Sequence, residues 1–243
     1  MTDGSPVASS SSPAISYRYE RKAHVSELDL AHIEQLVRLH PAAFREVFSQ
    51  RFVNNIYFDT VDFRSLAENI EGDEHRTKYR LRWYGELLGK VARPVLELKI
   101  KSNAVGRKAN FPVQSFRLEL GFAARTVRDA ILASDLPPVV HLGVSACEAK
   151  LMNRYTRRYY LSACSRFRLT IDRNLEYYRI RPTHNTLIHN IRDRDVVVVE
   201  LKYDREHDEV AHTISSYFPF LQTKSSKYVR GVHSLWRWHE LDL

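Results

Sequence analysis

The chain has 243 residues, 44% hydrophobic and 11% aromatic, with a formal net charge of +8 and a pI near 9.5. That is enough apolar material for one large domain or two small ones, and Gly (8) and Pro (9) are too few for a fibrous or wholly disordered protein. The charge points to a polyanionic partner: nucleic acid, a phosphorylated small molecule, polyphosphate or an acidic membrane surface.

The start, MTDGSPVASSSSPA, has neither a basic nor an apolar region of a secretory signal. Its Ser/Pro/Ala composition predicts a disordered tail over residues 1–15, with the folded domain at 16–243. No apolar run approaches the roughly 20 residues that span a bilayer, so the expectation is a cytoplasmic protein. Cys147 and Cys164 sit at no metal-ligand spacing. They read as free thiols in a reducing compartment, although one disulfide between them stays open.

In chain order, SYRYERK from Ser16 predicts a strand with Arg18, Glu20 and Lys22 on one face. SELDLAHIEQLVRLH follows as a helix, with Ser26 as N-cap and Pro41 beyond its end. RFVNNIYFDT is a strand, and DFRSLAENIEG a short helix closed by Gly72. HRTKYRLRWYG from His75 alternates Arg76, Lys78, Arg80 and Arg82 with Thr77, Tyr79, Leu81 and Trp83. RPVLELKIK repeats the device, setting Glu97, Lys99 and Lys101 against Leu96, Leu98 and Ile100. NAVGRKANFPV gives a turn and an edge strand, and SFRLELGFAARTVRDAILAS reads as helical. NRYTRRYYLS and SRFRLTIDRNLEYYRI are strands, the second placing Arg166, Arg168, Thr170 and Asp172 on one face. DVVVVELKYD adds a strand with Glu200 and Lys202 on one face, and REHDEVAHTISSYF and KSSKYVRGVHSLWRWHEL supply two closing helices.

Strands joined mostly by short turns, with helices interspersed, argue for an α+β domain on an antiparallel sheet. Each main strand backs an apolar face with a charged one. A mixed wet face would explain any single strand. A dozen like charges on an open sheet would repel one another, so the expectation is a closed antiparallel barrel of about eight strands, charged inside, with helices packed outside. Same-face cations recur about every 7 Å along a strand, a spacing that suits a linear chain of phosphates. Glu20, Glu97, Asp172 and Glu200 are hard oxygen ligands suited to Mg2+ or Mn2+. For Asp172 the preferred reading is an ion pair with neighbouring arginine.

P-loop, GxGxxG, HExxH and CxxC patterns are absent from the sequence. RNA-binding signatures are absent too, and the aromatics read as lying opposite the cations, which disfavours base stacking and a nucleic-acid partner.

YERK, NNIYFDT, RLRWYG, PVLELKIK, RLTIDRNL, VVVVELKYD and KSSKYVRG occur in this order between Tyr17 and Gly231. Together they resemble the VTC domain, the polyphosphate polymerase module of the triphosphate tunnel metalloenzyme (CYTH) superfamily. The resemblance implies a basic tunnel in which the γ-phosphate of ATP passes to a growing inorganic polyphosphate chain, with a divalent metal. It implies substrate contacts at Lys22, Arg80, Arg82, Lys99, Lys101, Tyr155, Arg157, Arg158, Arg173, Lys224, Ser226 and Lys227, and the strand faces add Lys78, Arg168 and Lys202 as candidate substrate-binding residues. Of these, Arg80, Arg82, Arg157 and Lys224 would act directly on the reacting phosphates, with Glu200. Metal would fall to Glu200, with Glu20 and Glu97. The superfamily opens with ExExK where this chain has RYERK, so Arg18 replaces a carboxylate, which favours the polymerase branch. A tunnel-type triphosphatase and a non-catalytic polyanion-binding module remain alternatives.

Overall fold

The computed structural model describes residues 18–26, 28–73, 75–102, 105–188, 190–223 and 226–236, except the side chains of Arg18, His75, Lys101, Ser102, Val105 and Arg107. The tail expected at 1–15 and the predicted site residue Lys224 lie outside them.

The strands are β1 (Arg18–Val25), β2 (Arg45–Asp59), β3 (His75–Tyr84), β4 (Gly89–Val91), β5 (Val95–Ser102), β6 (Val105–Pro112), β7 (Phe116–Leu118), β8 (Glu148–Leu161), β9 (Arg168–Arg179), β10 (Asn190–Asp193) and β11 (Val197–Asp204). The helices are α1 (Leu30–Arg38), α2 (Arg64–Glu71), α3 (Ala124–Leu132), α4 (Pro138–Ser145), α5 (Asp208–Ser216) and α6 (Lys227–Leu235). The main sheet runs β1-β11-β9-β8-β2-β3-β5-β6, antiparallel throughout, with β10 beside β9 and a separate β4-β7 pair. Several elements differ from the sequence reading. Asp29, not Ser26, caps α1 by accepting from the His32 N–H at 2.9 Å. The 115–134 stretch gives β7 before a helix of only nine residues, because Gly121 at φ 81° breaks the run. β2 begins at Arg45, six residues before the expected start.

The closed barrel is not formed. Among the described residues β1 and β6 do not pair, so the sheet is an open, strongly curled half-barrel. The free edge of β1 is taken by Gln222 and Thr223: Ala23 bridges Gln222, and the Thr223 N–H donates to the Lys22 carbonyl at 2.8 Å. Returning chain at that edge meets its hydrogen-bonding needs without β6. Only side chains cross the gap, as where Lys99 Nζ of β5 lies 3.9 Å from Glu20 Oε2 of β1.

The convex face carries the apolar half of each alternating strand. Leu81, Trp83, Leu96 and Leu98 pack with Val127, Ile131, Val140 and Val144 of α3 and α4. Leu169, Ile171, Val199 and Leu201 pack with Ile33 and Val37 of α1 and Ala211 and Ile214 of α5. The helices are not all outside, however. Tyr228 and Val232 of α6 join Val53, Tyr57, Leu151 and Tyr155, which belong to the concave face, with Leu66 of α2 in the same cluster. Gly231 permits this approach: a Cβ there would stand 2.6 Å from both Leu151 Cδ2 and Tyr177 Cδ1. Thus α6 fills one end of the concavity and brings its N-terminus to the charged remainder.

Candidate polyanion site

Antiparallel register places facing residues on one side of a sheet, and the pairings assemble the charged face directly. Lys22 pairs Glu200 and Glu20 pairs Lys202. Glu200 pairs Thr170 and Lys202 pairs Arg168. Asp172 pairs Arg157, Arg82 pairs Asn55 and Arg80 pairs Tyr57. Arg80 also pairs Glu97, Lys78 pairs Lys99 and Arg76 pairs Lys101, while Lys99 pairs Lys108.

Glu200 and Asp172 form the buried centre of one half, at 4% and 0% exposure. Arg157 donates to both Asp172 oxygens, from Nε at 2.5 Å and Nη2 at 2.6 Å, and from Nη2 to Glu200 Oε2 at 3.4 Å. Lys227 Nζ, at the first turn of α6, stands 2.7 Å from Asp172 and 3.3 Å from Glu200. Lys202 and Lys22 reach Glu200 at 3.0 and 3.6 Å, and both also reach Glu20, at 3.6 and 3.0 Å. Burial alone would raise the Glu200 carboxyl, but Lys202, Lys227, Lys22 and Arg157 hold it well below the usual carboxylate range. Lys227 is raised, because Asp172 and Glu200 outweigh its burial. Tyr155, 1% exposed, lies under Lys227 Nζ (4.9 Å) and the Arg157 guanidinium (5.3 Å). Burial would raise its phenol; Arg157 and Arg82 reverse this and lower it. The Thr170 hydroxyl, buried beside Glu200 in register, has no hydrogen-bond partner.

Glu97 organises the opposite half. It accepts from Arg80 at both Nε (2.8 Å) and Nη2, lies 3.2 Å from Arg82 Nη1, and accepts from Lys108 Nζ at 2.9 Å. Burial opposes ionisation there, and the three cations override it strongly. Arg82 Nε donates to Asn55 Oδ1 at 2.9 Å, and Asn55 donates to Asn153 at 2.8 Å. Beyond Glu97 the cations continue without a carboxylate of their own. Burial, then Arg76, Lys99 and Lys22, push the Lys78 ammonium down to about 7. Burial also lowers Lys99, against the pull of Glu20.

The predicted residues therefore separate. Lys22, Lys78, Arg80, Arg82, Lys99, Tyr155, Arg157, Arg168, Lys202 and Lys227 join the concave face with Glu20, Glu97 and Glu200. Arg168 is exposed at its margin, and the Lys101 backbone reaches it through its pairing with Arg76. Ser226 is the N-cap of α6, with no side-chain capping bond. Arg158 and Arg173 do not join. Arg158 pairs Ile171 and reaches Glu34 of α1 at 2.8 Å, and both guanidiniums donate to Gln50 on the convex side. Sequence reading missed Lys108, Asn55 and Asn153. Lys108 was detectable in principle, since it has the parity of Asn110, but only the β5–β6 register shows that it meets Glu97. The aromatics do not all lie opposite the cations: Tyr57, Tyr84, Tyr155 and Tyr159 share the cationic face.

For a divalent cation the donor chemistry is met by Glu200 with Glu20, two hard carboxylates that share Lys22 and Lys202, with the unpartnered Thr170 hydroxyl alongside. Glu97 fits less well: Arg80, through both Nε and Nη2, Arg82 and Lys108 all approach its oxygens to 3.2 Å or less, whereas the four cations around Glu200 stand at 3.0–3.6 Å. Among the described residues no three His, Cys, Asp or Glu side chains converge, so substrate oxygens would complete such a site.

Fold and site together define a half-barrel whose concave face carries a surplus of cations. The VTC domain profile matches residues 17–236, and the chain belongs to that family. Among solved structures it is similar to a protein from Vibrio parahaemolyticus, provisionally described as an adenylate cyclase, at 12% identity and TM-score 0.53, over 88% of this chain and 98% of that one. An adenylyl cyclase-like protein from Hippeastrum, described as revealing a dominant triphosphatase activity, follows at 15% identity and TM-score 0.49, over 87% and 95% of the two chains. No curated protein matches the sequence. No helix of the described residues is long and apolar enough to cross a membrane.

Proposed function

We propose that this protein is an ATP-dependent polyphosphate polymerase, moving the γ-phosphate of ATP to the end of an inorganic polyphosphate chain. The observation that supports it is the cation surplus on one concave face, continuing past the carboxylates at Lys78 and Arg76, as a linear polyanion requires. Family membership supports a phosphate-handling enzyme. The terminal phosphate of the acceptor is itself the nucleophile: its oxygen bonds to the γ-phosphorus as the bond to the ADP oxygen breaks, and no protein base is needed. The chain's contribution is positioning and charge stabilisation. Arg80 and Arg82, oriented by Glu97 and Asn55, present fork-like donors to phosphate. Arg157 and Lys227, fixed by Asp172, aim positive charge at the transferring group, and Lys224 joins them in the proposed set. Lys22, Lys78, Lys99, Lys101 and Lys202 serve as point charges along which product slides. Glu200 with Glu20 would hold Mg2+ or Mn2+, which supplies neutralisation of phosphate oxygens when bound.

Incubation of the purified protein with ATP and Mn2+ tests this reading. Polymer that a polyphosphatase degrades is the expected product. Free phosphate without polymer would identify a tunnel-type triphosphatase instead. Glu200→Gln separates enzyme from binding module, since turnover should collapse while polyphosphate binding persists. If Arg80→Ala with Arg82→Ala left binding intact, the site itself would be misplaced.

A further inference from the structure

One exposed feature adjoins the cationic face without belonging to its ion pairs. β2 carries an irregularity between Phe48 and Arg51: Phe48 pairs Tyr159 and Arg51 pairs Arg157, so three residues of β2 span two of β8. A bulge of this kind re-aims side chains. Here it turns Phe48 and Arg51, an odd number of residues apart, toward the same concave side. The Arg51 guanidinium carbon then lies 4.4 Å from the ring centre of Tyr84, 4.7 Å from Tyr159 and 5.4 Å from Phe48. Arg51 Nε donates to the Tyr159 hydroxyl at 3.4 Å, and Phe48 meets Tyr159 edge-on at 5.7 Å. Phe48 and Tyr84 remain 57% and 47% exposed.

We infer that this arginine-centred aromatic platform is the base-binding subsite for a nucleoside triphosphate, which makes it a specificity determinant for the donor. The inference rests on the phosphate-transfer reading above. Three observations carry it. Exposed rings braced by a guanidinium offer flat stacking surface of the kind that takes bases with little sequence preference. The platform is continuous with the phosphate-facing cations: Tyr84 is two residues from Arg82 on β3, about 7 Å along the strand, and the Arg157 guanidinium lies 5.9 Å from the Tyr159 ring. The offset leaves room for a ribose between a stacked base and phosphates at Arg82 and Arg157. Finally, the chemistry matches at both ends, since a nucleoside triphosphate joins a flat aromatic head to a polyanionic tail. Inorganic polyphosphate has no use for the rings.

The test compares calorimetric affinities for a non-hydrolysable ATP analogue with a β,γ-imido bridge and for inorganic tripolyphosphate. Both are measured on the whole chain, on Phe48→Ala with Tyr84→Ala, and on Phe48→Trp. Both positions are exposed, and thermal melting checks that the fold survives. The expected result is a loss of about 5- to 100-fold for the nucleotide in the alanine variant, the range of base–aromatic stacking. Tripolyphosphate should change less than about twofold, and Phe48→Trp should keep nucleotide affinity. Equal losses for both ligands, or no loss for the nucleotide, would overturn the subsite while leaving the phosphate site standing. A wild-type protein that binds neither ligand would overturn the phosphate-transfer reading and the subsite with it.

Discussion

The two halves of the concave face are built on opposite electrostatic plans. On β8, β9, β11 and α6, the cations Arg157, Lys227, Lys22 and Lys202 enclose the carboxylates Asp172, Glu200 and Glu20. On β3, β5 and β6, the cations Arg76, Lys78, Arg80, Arg82, Lys99 and Lys108 share Glu97 alone as a carboxylate of their own half. Buried ions are tolerable only when paired, so the first half is a neutralised network that folding completes. The second half carries six cations to its one carboxylate, and under the proposed function an anion from outside would complete it.

Breaking the first half should cost stability most. Asp172→Ala leaves Arg157 and Lys227 facing Glu200 alone, and about 3–5 kcal/mol of folding free energy should be lost, read from urea denaturation. A loss below about 1 kcal/mol would show that the network is not what holds α6 to the sheet. The second half should respond in the opposite sense. Lys78→Met removes an unpaired cation, so the protein should become slightly more stable while its affinity for tripolyphosphate falls about tenfold, the effect of one charge-assisted contact. Loss of stability in that variant would erase the distinction between the halves.

The distinction also has a pH signature. Folded Lys78 titrates at about 7 against an ordinary 10.5, so between those values the unfolded chain binds more protons and stability rises with pH. Bound phosphate should return the proton to Lys78. Calorimetry in buffers of different ionisation enthalpy near pH 8 should therefore show proton uptake on tripolyphosphate binding, reduced in Lys78→Met. Unchanged uptake would assign it to other groups. The smallest effect belongs to the convex side, where Arg158→Ala should alter tripolyphosphate affinity less than about twofold. A larger loss would put Arg158 back in the site.

The alternation of the strands was legible in the chain itself. In HRTKYRLRWYG and PVLELKIK the side-chain period of two separates cations from apolar residues, and the structure keeps that separation along the paired strands except at the end, where Arg82 faces Val95. Parity along one strand therefore determined which residues could share a face, and it brought Arg80, Arg82, Lys99, Glu200 and Lys22 into the candidate set. Seven pieces in order, from YERK to KSSKYVRG, carried the family likeness together. Parity fails where a strand is irregular. The shift between Arg154 and Thr156 in the β8–β9 register puts Tyr177 opposite Asn153, on the face of Asp172 although the two are an odd number of residues apart; Arg173, next to Asp172, stands on the other face by simple alternation. The shift near Phe48 makes three residues of β2 match two of β8.

Only the tertiary structure decided three things. The sheet stays open because Gln222 and Thr223 occupy the edge of β1, a pairing between segments some 200 residues apart. The last helix lies inside the curl because Gly231 lets its backbone approach Leu151 and Tyr177. Which carboxylate meets which cation follows from register across six or more strands. The sequence determines faces, because the pleat is local. It does not determine partners, because pairing is set by long-range packing and by bulges whose positions leave little trace in the pattern of residues.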